Sequence, residues 1–134
     1  MYKNIAKKII FTKNIEEAET AKVIENIQRD VNIGLMNEIY MVCKKLNINF
    51  YNVFNLAATK WNFIKYKPGL VGGHCLPVDP YYLSHISKIN KLKTNVILAG
   101  RNTNNAMVKN IYNEICKIVK KKVFKNKKIL LCGL

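Results

Sequence analysis

Apolar residues recur at Ile24, Ile27, Val31, Leu35, Ile39, Val42 and Leu46, in steps of three and four. That spacing lays them along one face of an α-helix. Asn14 stands just before the pattern, and Glu16, Glu17 and Glu19 follow it. Negative charge there suits the positive end of a helix dipole. One amphipathic helix is therefore expected to run to about Lys45, with a length of about 45 Å at ~1.5 Å per residue. A small domain cannot cover a helix that long by itself. Its apolar side needs other segments of the chain, or another copy of it.

The rest of the chain is read around that helix. A second helix fits Phe50 to Lys60, with Val53, Phe54 and Ala57 on one face. Periodicity then fails. Residues 61–80 carry Pro68, Pro77 and Pro80 together with Gly69, Gly72 and Gly73, the composition of a long shaped loop. A short helix from Pro80 to about Lys88 follows, since proline suits a first helical turn. A second long helix is expected from about Thr94 to Lys122, with Val96, Ile97, Val108, Ile111, Ile115, Ile118 and Val119 apolar. The segment Ile129-Leu130-Leu131-Cys132-Gly133 reads as the first buried strand of a parallel sheet. The fold class is mainly α. The helices at 15–46 and 94–122 should pack on each other and on a partner's copy, leaving an apolar face exposed in the single chain.

With 23 Lys+Arg against 8 Asp+Glu, the net charge of +15 invites a nucleic-acid reading. Composition weakens it. Lys, Asn and Ile dominate together, as codons rich in A and T would make them, and only Arg29 and Arg101 are arginine. A surface selected for phosphates and bases uses more of that forked side chain. The lysines between Lys117 and Lys128 read as a solvated helix end. No apolar run approaches a membrane span, and the N-terminus lacks the apolar core of a secretory signal. None of Cys43, Cys75, Cys116 and Cys132 forms a CxxC pair, so a zinc knuckle and a disulfide framework are both disfavoured. A cytoplasmic protein with free thiols is expected.

Three of those cysteines sit in apolar patterns, and Cys75 does not. It lies in Gly72-Gly73-His74-Cys75-Leu76-Pro77-Val78-Asp79-Pro80. Paired glycines let the backbone approach a ligand closely, and a thiol near a helix end and cations is easily ionised. The loop alone leaves two readings level, a nucleophile or a structural cysteine beside a tight turn. His74 more simply packs or hydrogen-bonds. Lys22 and Asn26 are four apart and share a helical face off the apolar stripe. Spacing alone favours two solvent-facing residues. A functional reading needs a partner, and Cys75 could be it, because an ammonium and a carboxamide beside a thiolate can bind a developing oxyanion.

The runs Lys60-Trp61-Asn62-Phe63 and Pro68-Gly69-Leu70-Val71-Gly72-Gly73-His74-Cys75-Leu76-Pro77-Val78-Asp79-Pro80-Tyr81-Tyr82-Leu83 strongly resemble the UDP-glucose/GDP-mannose dehydrogenase family. So do Ala18 to Asn26 and the pair Asn37-Glu38. Within the family the chain looks most like the UDP-N-acetylglucosamine 6-dehydrogenases of surface-polysaccharide synthesis, the Vi-antigen type. The resemblance spans about residues 15–134, with its motifs in the family's order.

The resemblance implies three parts. Residues 1–14 would be the stub of an N-terminal NAD-binding domain. Residues 15–122 would be the central helical dimerisation domain with its cysteine loop. Residues 123–134 would begin a C-terminal UDP-binding domain, and companion chains would supply what is missing. It implies an NAD-dependent oxidation of a UDP-sugar, with UDP-N-acetylhexosamine as the expected substrate, from primary alcohol to carboxylate. Cys75 would be the nucleophile, forming a thiohemiacetal and then a thioester. Lys22 and Asn26 would stabilise oxyanion character, and Asp79 would position Lys22 or water. Phe63, Gly69, Gly72 and Gly73 would hold the UDP-sugar, and Arg101 would contact it. Many members have glycine in the loop where this chain has Leu70 or Val71, a form the N-acetyl-sugar branch tolerates. The family's catalytic glutamate and threonine belong to the N-terminal domain, and no Gly-x-Gly-x-x-Gly occurs here. Alone, the chain is expected to be inactive. A helical dimerisation remnant without catalysis is the alternative.

Overall fold

The computed structural model describes residues 6–121 and residue 130. The expected strand near the C-terminus, and the first residues of the expected N-terminal stub, lie outside the described residues. Four helices make up the element order: α1 (Ile15–Lys45), α2 (Phe50–Ala57), α3 (Asp79–Ile89) and α4 (Asn95–Lys121). Among the described residues there is no strand, and no helix is long and apolar enough to cross a membrane.

Local chemistry fixes the helix ends. Asn14 adopts extended backbone before α1, and Glu16 and Glu17 fill its first turn, while Lys44 and Lys45 fill its last. Both charge placements oppose the helix dipole favourably. The chain leaves α1 through Asn47, whose φ of 57° is left-handed. Asparagine tolerates that region better than most residues. The Asn49 side chain accepts from the Asn52 amide at 3.1 Å and so caps α2. α2 ends at Ala57, earlier than the expected Lys60, because the next amides turn back tightly, Thr59 N–H to Leu56 and Lys60 N–H to Ala57. Pro80 sits in the first turn of α3, where its missing N–H has no intrahelical partner to lose.

The two long helices run side by side in the same direction. Contacts on α4 advance with those on α1, from Asp30 with Arg101, through Asn37 with Asn104, to Lys44 with Glu114. Parallel helices cannot be joined by a tight turn. The chain between them must travel back along the pair, and α2, the long loop and α3 make that journey. α2 packs against α1, and α3 packs against both long helices.

The seam between α1 and α4 is polar and close. Gly34 and Gly100 meet there, and a Cβ built on Gly34 would lie 3.0 Å from the Gly100 carbonyl oxygen. Around this crossing Asn26, Asp30, Asn37, Arg101 and Asn104 are buried. A separate apolar cluster joins Met36, Cys43, Phe50 and Phe54, with Ile39, Tyr40, Phe63 and Tyr66 packed on it. Its aromatic rings meet edge to face, Tyr40 on Phe50 at 5.7 Å and Phe54 on Phe63 at 5.6 Å, the geometry that ring quadrupoles favour.

The helices pack through a face different from the one the apolar pattern marks. At about 100° per residue, Asp30 and Asn37 lie within roughly 40° of Asn26 around α1, while Ile24, Leu35 and Val42 lie roughly 160–180° away. Those three apolar residues are 53%, 50% and 51% exposed. Ile27 is buried, and Val31 and Ile39 are half-buried at the margin. On α4, Val96, Val108, Ile115 and Ile118 are exposed as well. The buried polar groups and the cluster of Met36, Cys43, Phe50 and Phe54 close the single chain, and the line of Ile24, Leu35 and Val42 on α1 stands open.

Candidate active site on the cysteine loop

The connection from Ala58 to Val78 has few backbone hydrogen bonds of its own. Its last turn is well defined. The Cys75 carbonyl accepts the amides of Val78 at 3.1 Å and Asp79 at 2.9 Å. Cys75 therefore sits at the turn that opens α3, with Asp79 as the first residue of that helix. Cys75 is exposed, as are Gly72, Gly73 and His74. Gly73 has φ +91°, a conformation glycine adopts without strain. Cβ atoms built on Gly69, Gly72 and Gly73 would meet nothing within 4 Å. This stretch of loop presents an open backbone surface.

Asp79 is tied to α1. Asn26 Nδ2 donates to Asp79 Oδ2 at 2.6 Å across 53 residues of sequence. Asn26 is 2% exposed, so the solvent-facing reading that spacing favoured is corrected. The residue lies off the apolar stripe, but that polar side is the one turned toward α3 and α4. Lys22, one turn earlier on α1, behaves differently. Its Nζ meets Glu25 Oε2 at 2.9 Å on the surface, and Arg29 meets the other Glu25 oxygen at 2.9 Å. The Lys22 hydrogen bond, followed by the Lys22 charge, holds the Glu25 carboxyl below its ordinary value. The structure thus brings Asn26, Asp79 and the Cys75 turn together, and sets Lys22 on the adjacent surface, paired with Glu25 rather than Asp79.

Phe63 is half-buried and packs edge-on against Phe54. Arg101, which the resemblance suggested as a substrate contact, is 2% exposed. Its Nη1 donates to Asp30 Oδ1 at 2.5 Å and its Nη2 to Asn105 Oδ1 at 2.6 Å. The guanidinium is directed into the helix seam. Among the described cysteines, Cys43 is buried, Cys116 is half-buried and Cys75 is exposed, all as free thiols.

Sequence reasoning missed a buried chain of polar groups. Asn104 Nδ2 donates to the carbonyl and to Oδ1 of Asp30, at 2.9 and 2.8 Å. Asn37 Nδ2 donates to Asn104 Oδ1 at 2.8 Å and to the Gly69 carbonyl at 2.9 Å. The Gly69 amide returns a hydrogen bond to Asn37 Oδ1 at 2.7 Å. The signal was present in the sequence. Asn26, Asp30, Gly34 and Asn37 follow one another in steps of three and four along one side of α1, which they share with Val23, Ile33 and Met41.

Comparison with known proteins gives a consistent picture. Residues 16–106 match the model for the UDP-glucose/GDP-mannose dehydrogenase family, central domain. The chain is 53% identical over 104 residues to Protein CapL of Staphylococcus aureus, covering 78% of this chain and 24% of that protein. It is 47% identical over 110 residues to the UDP-N-acetyl-D-glucosamine 6-dehydrogenase of Salmonella typhi, covering 82% of this chain and 26% of that protein. A solved structure of the UDP-D-ManNAc dehydrogenase from Pyrococcus horikoshii superimposes with a TM-score of 0.77 at 35% identity, covering 90% of this chain and 28% of that one. The chain spans about a quarter of the length of the curated relatives it matches.

Proposed function

The chain belongs to the UDP-glucose/GDP-mannose dehydrogenase family, and from that premise we propose that it supplies the cysteine-bearing, helical portion of a UDP-sugar 6-dehydrogenase acting in surface-polysaccharide synthesis. The substrate is a UDP-N-acetylhexosamine, a class named by one of the similar relatives. The observation that carries this reading is the hydrogen bond between Asn26 and Asp79. It joins the two separated motifs of the sequence within one turn of Cys75.

In this reading Cys75 is the nucleophile. Its thiolate adds to the carbon of a sugar aldehyde, forming a C–S bond while the carbonyl electron pair moves onto oxygen. The resulting oxyanion needs hydrogen-bond donors. Asn26 has a second amide hydrogen besides the one given to Asp79. Lys22 supplies an ammonium on a long stem, and it reaches the site by leaving Glu25, which an exposed pair permits readily. Later, water cleaves the thioester, releasing carboxylate and restoring the thiol. Gly69, Gly72 and Gly73 offer backbone to the UDP-sugar, and Phe63 and Arg101 shape the site from beneath it. The oxidations need NAD as hydride acceptor. The residues described here do not fit an NAD site, for they include neither a strand nor a Gly-x-Gly-x-x-Gly turn, so no step of that transfer is assigned to them.

The exposed apolar stripe of α1 favours a second role, pairing with another copy of the chain as a homodimer. That role requires no catalysis.

The experiment follows the rate of Cys75 alkylation across pH, in this chain alone and mixed with separately expressed NAD-binding and UDP-binding domains. The chain alone is expected to show no turnover. Mixing is expected to produce NAD+ reduction that depends on a UDP-N-acetylhexosamine and vanishes in Cys75→Ala. An inert Cys75 in both states, with no turnover on mixing, sinks the catalytic reading and leaves the helical pairing module.

A further inference from the structure

The loop that carries Cys75 is held at two points by the same helix. Asn37 grips Gly69 by both backbone groups, accepting from its amide at 2.7 Å and donating to its carbonyl at 2.9 Å. Asn26 grips Asp79 at 2.6 Å. The two asparagines are eleven residues apart on α1, which is about 16 Å of rise and only about 20° of rotation. They stand on one line along the helix. The ten-residue span from Gly69 to Asp79 could stretch to roughly 33 Å. It is instead arched between anchors half that distance apart, with exposed Cys75 on the arch.

The Gly69 anchor is itself braced. Asn37 is 0% exposed. Its amide also donates to Asn104, Asn104 donates to Asp30, and Asp30 accepts from Arg101. Every link is buried, and a buried amide with its partners in place resists rotation, because losing one leaves an unsatisfied group. A loop held only by solvent-exposed turns would sample many shapes. This one is fixed to a rigid seam six residues before Cys75.

We propose that Asn37 is a positioning residue for the Cys75 loop, transmitting the geometry of the α1–α4 seam to the thiol through Gly69. The inference rests on the reading of Cys75 as the nucleophile, but it is tested without turnover. Asn37 touches neither substrate nor thiol. It acts by fixing one end of the arch, as Asn26 fixes the other.

The test uses backbone amide exchange together with thiol alkylation in the full chain. In the unaltered chain the Gly69 amide is expected to exchange at least about tenfold more slowly than those of Leu70 and Gly72, which have no acceptor among the described residues. Asn37→Ala is expected to erase that protection and to change the Cys75 alkylation rate at least about threefold, leaving buried Cys43 slow. Unprotected Gly69 in the unaltered chain overturns the proposal, and this arm stands even if Asn37→Ala does not fold. An unchanged Cys75 rate in a folded variant also overturns it. So does an equal rise at Cys43 and Cys75, which marks general loosening. Absent turnover in the reassembled enzyme, with the Gly69 and Cys75 responses intact, would count against the catalytic reading while upholding the anchor.

Discussion

Asn26 of α1 donates to the carboxylate of Asp79, the first residue of α3, at 2.6 Å. Asn26 is almost fully buried and Asp79 half-buried, so water competes weakly for either group. Hydrogen bonds to a charged acceptor in such a setting contribute about 1.5–3 kcal/mol. Asn26→Ala should lower stability in urea unfolding by about that amount. The double variant with Asp79→Ala should cost clearly less than the sum of the two. Strict additivity would mean that the two side chains do not depend on one another.

The Arg101–Asp30 pair makes a sharper demand. The two side chains are 3% and 0% exposed, and the pair sits where the long helices cross. Arg101→Met leaves a buried carboxylate without its cation, a change that typically costs about 3–5 kcal/mol. Adding Asp30→Asn removes the stranded charge, and Asn104 keeps its bonding to position 30 through the carbonyl. The double variant should therefore recover much of the loss in chemical unfolding. If Arg101 served only as a surface contact, Arg101→Met would leave the unfolding midpoint unchanged.

The helices were legible because their boundaries are written in local chemistry. Charged first and last turns and the apolar spacing bracket α1, and Pro80 marks the start of α3. The packing face was not legible from the same spacing. Apolar periodicity identifies the side of a helix that must be covered, without naming what covers it. In α1 the line of Ile24, Leu35 and Val42 is left open, and the chain closes through Gly34, the buried polar groups and the cluster of Met36, Cys43, Phe50 and Phe54 instead. Asn26 looked exposed because polar residues usually are. Its burial beside Asp79, like that of Arg101 beside Asp30, joins residues more than fifty positions apart in the sequence. The turn around Cys75 was visible from its glycines and prolines, whereas the Asn37 grip on Gly69 needed the fold to bring α1 beneath the loop.

Gly34 should tolerate no side chain larger than a methyl. A Cβ there meets the Gly100 oxygen at 3.0 Å and the Gly100 Cα at 3.1 Å. These are backbone atoms of a packed helix and cannot swing aside. Gly34→Val forces α4 outward, and overpacking of this kind costs about 1–3 kcal/mol. Gly34→Ala should cost less, since alanine regains up to ~1 kcal/mol of helix propensity. Thermal unfolding should rank the three chains as glycine, alanine, valine, and a valine variant as stable as the parent would contradict the close crossing.

Lys44 at the end of α1 pairs with Glu114 of α4. The hydrogen bond that Lys44 donates to Glu114 is the largest cause that raises its ammonium above the ordinary 10.5. A raised folded value means that the pair's contribution is complete below 10.5 and fades as pH climbs through the raised value. Both groups are partly solvated, so the contribution is small, about 0–1 kcal/mol. Glu114→Gln should therefore lower stability slightly at pH 8, and the gap from the parent should close as pH rises past the raised Lys44 value. A gap that widens with rising pH would assign the effect to other groups.

The open face of α1 leads to a prediction about assembly. Ile24, Leu35 and Val42 are each about half exposed and stand in one line. Burying apolar area gains roughly 25 cal/mol per Å², so a second copy laid along this line would be favoured, and the polar seam on the other side of the helix would be undisturbed. Sedimentation should show association that strengthens with concentration. Leu35→Glu places a charge in the middle of the stripe, away from Asn26, Asp30 and Asn37. It should shift the chain to monomer while leaving its helix content and the Asn26–Asp79 coupling unchanged. A parent chain that stays monomeric at high concentration, or a Leu35→Glu variant that associates equally well, would remove α1 as the pairing surface.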